Sequence, residues 1–261
     1  WLEEWLQTEW PDMAVNCASV TEQYATVNLA GPNARRLLAD LGTDIDLDNK
    51  AFPFMSWRAG TVAGIPARVF RVSFTGELSY EINVPAGYGM ALWTACMTAG
   101  EPYAISPMGT EALHVLRAEK GYIAVGQDTD GTVTPDDLGL ARMVSRKKDF
   151  FGKRSLTRSD MTKPDRKQFV GLLTSDPAEV IPEGAHIVER VEPKPPMHAI
   201  GHVTSSYMSP ILGRSIALAI LRRGRARIGE PVRLPLEDGR VVSATVTEPN
   251  FFDPEGERLH G

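Results

Sequence analysis

A short polar stretch, TRSDMTKPDRK at residues 157–167, separates two halves of this chain that follow different periodicities. Beyond it, FVGLLT, HAIGHVTSS, RSIALAILR, EPVRLPL and RVVSATVT are short β-rich runs divided by Gly, Pro and charged turns, with almost no helical recurrence. Strands with no helices between them must pair with one another and hide their edges, which predicts a small all-β barrel or sandwich over 166–261. Upstream, strand and helix patterns alternate. QYATVNLA (23–30) reads as a strand. GPNARRLLADLG follows as a helix with Pro32 in its first turn, Leu37, Leu38 and Leu41 on its inner face, and Gly42 ending it. WRAGTVAGIPARVFRVSF (57–74) reads as a hairpin about Gly64–Ile65–Pro66 and leads to the strand YEINVP. Apolar helices are predicted over 86–99 and 107–120, the second ended by Gly121. This order predicts an α+β fold over 1–165, antiparallel sheets with helices on one face, followed by the all-β unit.

A chain of 261 residues fits two or three packed units of this kind. Its 28 basic and 33 acidic residues leave a net charge of −5, and a nucleic-acid or anionic-membrane partner would need a basic field instead. No apolar run reaches membrane-spanning length. Cys17 and Cys96 form no CxxC and predict buried thiols, not a disulfide, in a reducing, cytoplasmic setting. The five histidines lack metal-ligand spacing, so no metal site is expected. There is no GxGxxG after a strand, no P-loop and no GxSxG elbow. The opening WLEEWLQTEWP carries Trp1, Leu2, Trp5 and Leu6 as an apolar helical stripe stopped at Pro11, which we read as the start of a fragment.

The stretch SFTGELSYEI (73–82) holds the most informative acids. Glu77 and Glu81 would share a face of an unbroken strand, but Thr75–Gly76 is expected to turn the chain. One of the two can then be presented beside Phe74 and Tyr80. A carboxylate accepts two parallel hydrogen bonds, from an arginine or from a 2-amino-pyrimidinone edge, and an aromatic wall beside it would stack on a flat ring. The simpler account, which these ten residues alone favour, is a turn-decorating Glu77 and a Glu81 paired with a surface cation. Arg117, late in an apolar helix, needs an anion, with Glu119 or Glu77 as candidates. The acidic QDTDGTVTPDD fits either a solvated loop or a cleft lining.

Taken in order, FTGELSYEI, GTEALHVLRAEKG, TPDDLGL, KKDFFGKRSL and VTSSYMSPILGRSIALAIL resemble the aminomethyltransferase superfamily, whose type member is the tetrahydrofolate-dependent glycine cleavage T-protein. The likeness covers nearly the whole chain. Within the superfamily, WLEEWLQTEWP, SVTEQYATVNLAGP and FFDPEGERLHG resemble the folate-binding C-terminal region of heterotetrameric sarcosine oxidase alpha subunits. The resemblance implies a tetrahydrofolate site in which Glu81 binds the pterin 2-amino and ring N–H groups, Phe74 lies near the ring, and Glu77 is a supporting residue that braces Arg117; Tyr80, Arg117 and Arg142 complete the expected cofactor-binding set. It implies capture of the one-carbon unit from sarcosine as 5,10-methylenetetrahydrofolate. FAD, FMN and NAD, and the beta, gamma and delta subunits as partners, are implied only for the full enzyme. The family's functional aspartate would lie upstream of Trp1, so no catalytic residue is expected here and the fragment alone is expected to be inactive. The chain departs from the family pattern at Leu113, where an Arg often meets the glutamyl tail; at Arg142, where an aromatic is usual; and at Ser206, where Gly is usual. A glycine cleavage aminomethyltransferase, a dimethylglycine dehydrogenase-like domain and a non-catalytic folate module are the alternatives.

Overall fold

The computed structural model describes residues 1–261 as two compact units. Unit 1 comprises Trp1–Ser73, Glu77–Pro107 and Arg258–Gly261; unit 2 comprises Phe74–Gly76 and Met108–Glu257.

In unit 1, α1 (Leu2–Thr8) precedes β1 (Tyr24–Ala30), α2 (Ala34–Asp40), β2 (Ser56–Val62), β3 (Ile65–Arg71), β4 (Ser79–Pro85) and α3 (Gly89–Gly100). The strands form one antiparallel sheet in the order β1-β4-β3-β2. Ala63 and Gly64, with φ of 52° and 73°, make the left-handed two-residue turn that matches strand twist. The β2–β3 hairpin therefore turns slightly earlier than Gly64–Ile65–Pro66, and Pro66 enters β3. It is tolerated there because only Arg68, Val69 and Phe70 of β3 pair with β4. Alternation along the strands puts Leu29, Ala67, Val69, Tyr80, Ile82 and Val84 on one face, where they form a core with Leu37, Leu38, Leu92 and Cys96 of α2 and α3. Burial pushes the Cys96 thiol up to about 11, so it packs as a small neutral hydrophobe, whereas Cys17, expected to be buried too, is exposed. The helical stripe expected at the start does form α1, but none of its residues is buried.

Unit 2 contains α4 (Thr110–Glu119) and the strands β5 (Lys167–Thr174), β6 (His186–Val188), β7 (Ala199–Ser209), β8 (Arg214–Arg222), β9 (Pro231–Pro235) and β10 (Val241–Thr247). The six strands close into a barrel in the order β10-β5-β8-β7-β6-β9, which leaves no free edge. Ala217, Ala219 and Leu221 of β8 pack into the barrel core, while Ile216, Leu218 and Ile220 form a second cluster with Phe169 and Ala118 of α4. Burial on both sides explains why RSIALAILR shows no polar alternation. α4 spans 110–119, within the predicted 107–120, and ends on Gly121 with φ 67°.

Two acids of QDTDGTVTPDD are buried counterions, not solvated loop residues. One, Asp137, accepts from Arg166 Nε (3.0 Å) and Nη2 (2.6 Å), from Thr134 N (2.7 Å) and from Thr134 Oγ1 (2.8 Å). Burial raises the pKa of this carboxyl, but the Arg166 and Thr134 hydrogen bonds outweigh it and hold it below the usual value of 3.8. A folded pKa below the unfolded one stabilises the fold fully above the unfolded pKa, and that contribution is lost as pH falls through the folded value. Urea unfolding followed between about pH 5 and pH 2 is therefore expected to show falling stability, with a shallower dependence in Asp137→Asn.

Candidate functional site

The second face of the unit 1 sheet carries polar and aromatic side chains rather than core residues. The strand register aligns Asn28 of β1, Glu81 of β4, Phe70 of β3 and Trp57 of β2 in one row across the four strands. Directly opposed residues stand about 5 Å apart, so each side chain of the row stands beside the next. Trp57 and Phe70 stack with centroids 6.0 Å apart and planes at 25°, and Trp57 remains 53% exposed. The adjacent row is Thr26, Asn83, Arg68 and Ala59.

The polar groups around Glu81 have partners. Ser79 Oγ donates to Asn28 Oδ1 (2.7 Å), and Thr26 Oγ1 donates to Asn83 Oδ1 (2.6 Å). Asn83 Nδ2 donates to the Glu81 carbonyl (3.4 Å), and the Arg68 guanidinium lies 5.1 Å from the Tyr24 ring centroid. The half-buried Glu81 carboxylate itself has neither a hydrogen bond nor an ion pair in the structure, so the surface cation of the simpler account is not there. A carboxylate with four open lone-pair positions beside a stacked aromatic pair can accept two parallel N–H groups from a flat heterocycle lying against the rings.

The other expected residues have surroundings of their own. Tyr80, next to Glu81 on the strand, points to the opposite face; it is buried in the core, and its hydroxyl accepts from Arg35 Nε (3.3 Å). Glu77 precedes β4 and accepts from Arg258 Nε (2.5 Å). In unit 2, Phe74 stacks on Tyr122 with centroids 6.4 Å apart, and Arg142 is exposed in the turn Ala141–Met143. The anion of Arg117 is neither Glu77 nor Glu119. Arg117 Nη1 donates to Asp128 Oδ2 (2.5 Å), and both side chains are fully buried. Glu119 is buried as the acceptor of Ser209 Oγ (2.6 Å). The bracing of Arg117 by Glu77 is thus corrected: the acidic loop after α4 folds back and reaches the guanidinium first.

The GCVT N-terminal domain family matches residues 1–148, and the glycine cleavage T-protein C-terminal barrel domain family matches residues 167–253. The chain belongs to the glycine cleavage T-protein family. Among curated relatives, it is 51% identical over 266 residues to the sarcosine oxidase subunit alpha of Corynebacterium sp. (strain P-1), covering 100% of this chain and 27% of that protein. It is 42% identical over 263 residues to the sarcosine oxidase subunit alpha of Rhizobium meliloti (strain 1021), covering 99% of this chain and 26% of that one. The chain thus spans about a quarter of the length of these relatives. Among solved structures it resembles the crystal structure of glycine cleavage system aminomethyltransferase T from Bartonella henselae, with a TM-score of 0.74 at 25% identity over 88% of this chain and 60% of that one.

This T-protein family member keeps its antiparallel sheet and closed barrel as the sequence predicted. Sequence reading missed Asn28, Phe70 and Trp57 as neighbours of Glu81. The signal for them was available in part: Phe70 and Trp57 lie equally far from the hairpin turn at 63–64, so a two-residue turn pairs them.

Proposed function

We propose that this chain is the tetrahydrofolate-holding part of a sarcosine oxidase alpha subunit, and that Glu81 grips the pterin through its 2-amino group and the adjacent ring N–H. The supporting observation is the partnerless Glu81 carboxylate, set beside the Trp57–Phe70 stack in a T-protein family member whose 51% identical relative is named a sarcosine oxidase subunit. The residues fit the ligand: the rim of a pterin offers two parallel donors, and its ring is flat and apolar enough to lie against an indole. When bound, tetrahydrofolate supplies the amines that take up a one-carbon unit. The chain's own part is to bind and orient, so that those amines meet the unit at high effective concentration. Oxidation of sarcosine, with its flavin, and the companion subunits belong in this reading to the rest of the longer protein and its assembly. The structural likeness to an aminomethyltransferase favours a second reading, direct aminomethyl transfer within glycine cleavage. Co-purification with flavin-bearing subunits separates the two.

Calorimetric titration with tetrahydrofolate tests the site. Glu81→Gln keeps the shape and one acceptor but removes the charge, and is expected to weaken binding by about 1.5–3 kcal/mol, roughly 10-fold to 150-fold. Unchanged affinity in a variant with an unaltered circular dichroism spectrum would discard Glu81 as the anchor.

A further inference from the structure

The β3–β4 ladder stops at the rung that carries Glu81: Phe70↔Glu81 is its last pair, and the next residues, Arg71 and Tyr80, are no longer paired. Both are nevertheless buried, Arg71 at 1% exposure. Residues 258–261 supply what the ladder no longer does. Arg71 Nη2 donates to the carbonyls of Leu259 (3.3 Å) and His260 (3.4 Å), and Arg71 Nη1 donates to that of Phe52 (2.6 Å). The His260 carbonyl also accepts from Arg35 Nη2 (2.9 Å) and Asn49 Nδ2 (3.3 Å). The His260 ring meets Phe54 edge-on with centroids 6.4 Å apart. Arg258 Nε bonds Glu77, two residues before β4 begins. At Gly261 an added Cβ would come within 2.8 Å of Leu78 Cδ2, so the backbone lies directly on the residue that leads into the strand.

We propose that residues 258–261 form a strap that fixes the start of β4 and so aims Glu81, with Arg258 and Arg71 as positioning residues. The proposal deepens the folate reading above and rests on it for the role of Glu81. The physical ground is that Arg71 is a buried cation hydrogen-bonded to carbonyls and to no carboxylate, and two of its three acceptors belong to the strap. Lifting the strap would leave that buried cation with the Phe52 carbonyl as its acceptor, so the strap is held down by more than its ion pair. Glu77 and Arg71 lie on either side of the point where the strands part. Holding both to one segment restricts the separation of β3 and β4 at the Glu81 rung without any ladder hydrogen bond.

The test exchanges the charges of the strap's ion pair. Arg258→Glu and Glu77→Arg, each alone, are expected to speed amide hydrogen exchange at Ser79–Ile82 and to weaken tetrahydrofolate binding by up to about fivefold, the upper range for a partly exposed pair. The double variant Glu77→Arg/Arg258→Glu is expected to restore both, with the melting temperature little changed throughout. A role in overall stability alone would move melting without such rescue. Unchanged exchange in the single variants, or no recovery in the double, overturns the strap. Failure of the folate reading is distinguishable: Glu81→Gln would then bind tetrahydrofolate like wild type while exchange at β4 still responds to the strap variants.

Discussion

Asp128→Ala is expected to lower the stability of the protein by about 3–5 kcal/mol in urea unfolding followed by circular dichroism, a large share of what a domain of this size commands. The Asp128 carboxylate gathers three donors besides Arg117 Nη1. Ala124 N donates to Oδ2 (2.8 Å), Ser205 Oγ donates to Oδ1 (3.0 Å), Thr204 Oγ1 bonds Oδ1 closely, and Arg117 Nη2 reaches Ser205 Oγ (2.6 Å) within the same cluster. Truncation leaves the guanidinium with Ser205 Oγ (2.6 Å), the Tyr122 carbonyl (3.1 Å) and Gln127 Oε1 (3.1 Å) as acceptors, none of them charged. Most of the loss comes from a stranded charge, not from the worth of the pair, because desolvating both ions offsets much of their attraction. The double replacement Arg117→Met/Asp128→Leu is therefore expected to recover a substantial part of the loss. Asp128→Asn, which keeps the acceptor toward Arg117 and can donate to the hydroxyls, should fall between the two. If Asp128→Ala unfolds at the wild-type urea midpoint, the buried pair does not hold α4 to the barrel strand β7.

The contrast between Arg117 and the β strands shows where sequence reading reached its limit. Barrel strands, the α4 stop and the hairpin were legible because they depend on residues two to five apart: alternation, a Gly with positive φ, a turn dipeptide. The anion of Arg117 depends on the path of a loop. Asp128 is 11 residues along, in a segment whose acids and turn residues look equally like a solvated loop, and only the fold-back that buries it decides the matter. Arg166 and Asp137, 29 residues apart, repeat the case. The Glu77–Arg258 pair, 181 residues apart, has no local signature at all, and the Glu81 row needed the pairing register of four strands. Glu81 itself was legible as a position, since a carboxylate inside a strand of core residues is anomalous. Among its expected aromatic neighbours, Tyr80 is close only in sequence, whereas Phe70 and Trp57 are close across the sheet. A strand alternates faces, so Tyr80, one residue before Glu81, points to the other side.

Gly121 carries the second large effect, and the reasons for it can be separated. It ends α4 in a Schellman arrangement: Tyr122 N donates to the Arg117 carbonyl (2.9 Å) and Gly121 N to that of Ala118 (3.0 Å). Its φ of 67° alone costs a residue with a Cβ about 1–2 kcal/mol. An added Cβ would also stand 2.4 Å from the Pro249 carbonyl oxygen and 2.7 Å from its carbon, both backbone atoms with no rotamer to yield. The segment that follows is itself tied to the helix end, with Phe251 N and Phe252 N donating to the Glu119 carbonyl at 2.9 and 3.0 Å, so it cannot withdraw without losing those bonds. Overpacking of this kind adds about 1–3 kcal/mol. Gly121→Ala is therefore expected to destabilise by about 2–5 kcal/mol, measured as the shift in urea midpoint at constant slope. Gly126 isolates the backbone part: its φ is 90°, and nothing lies within 4 Å of the position a Cβ would take. Gly126→Ala is expected to show only the left-handed penalty, about 1–2 kcal/mol. Equal losses at the two sites would mean that the 249–252 segment yields freely and does not clamp the end of α4.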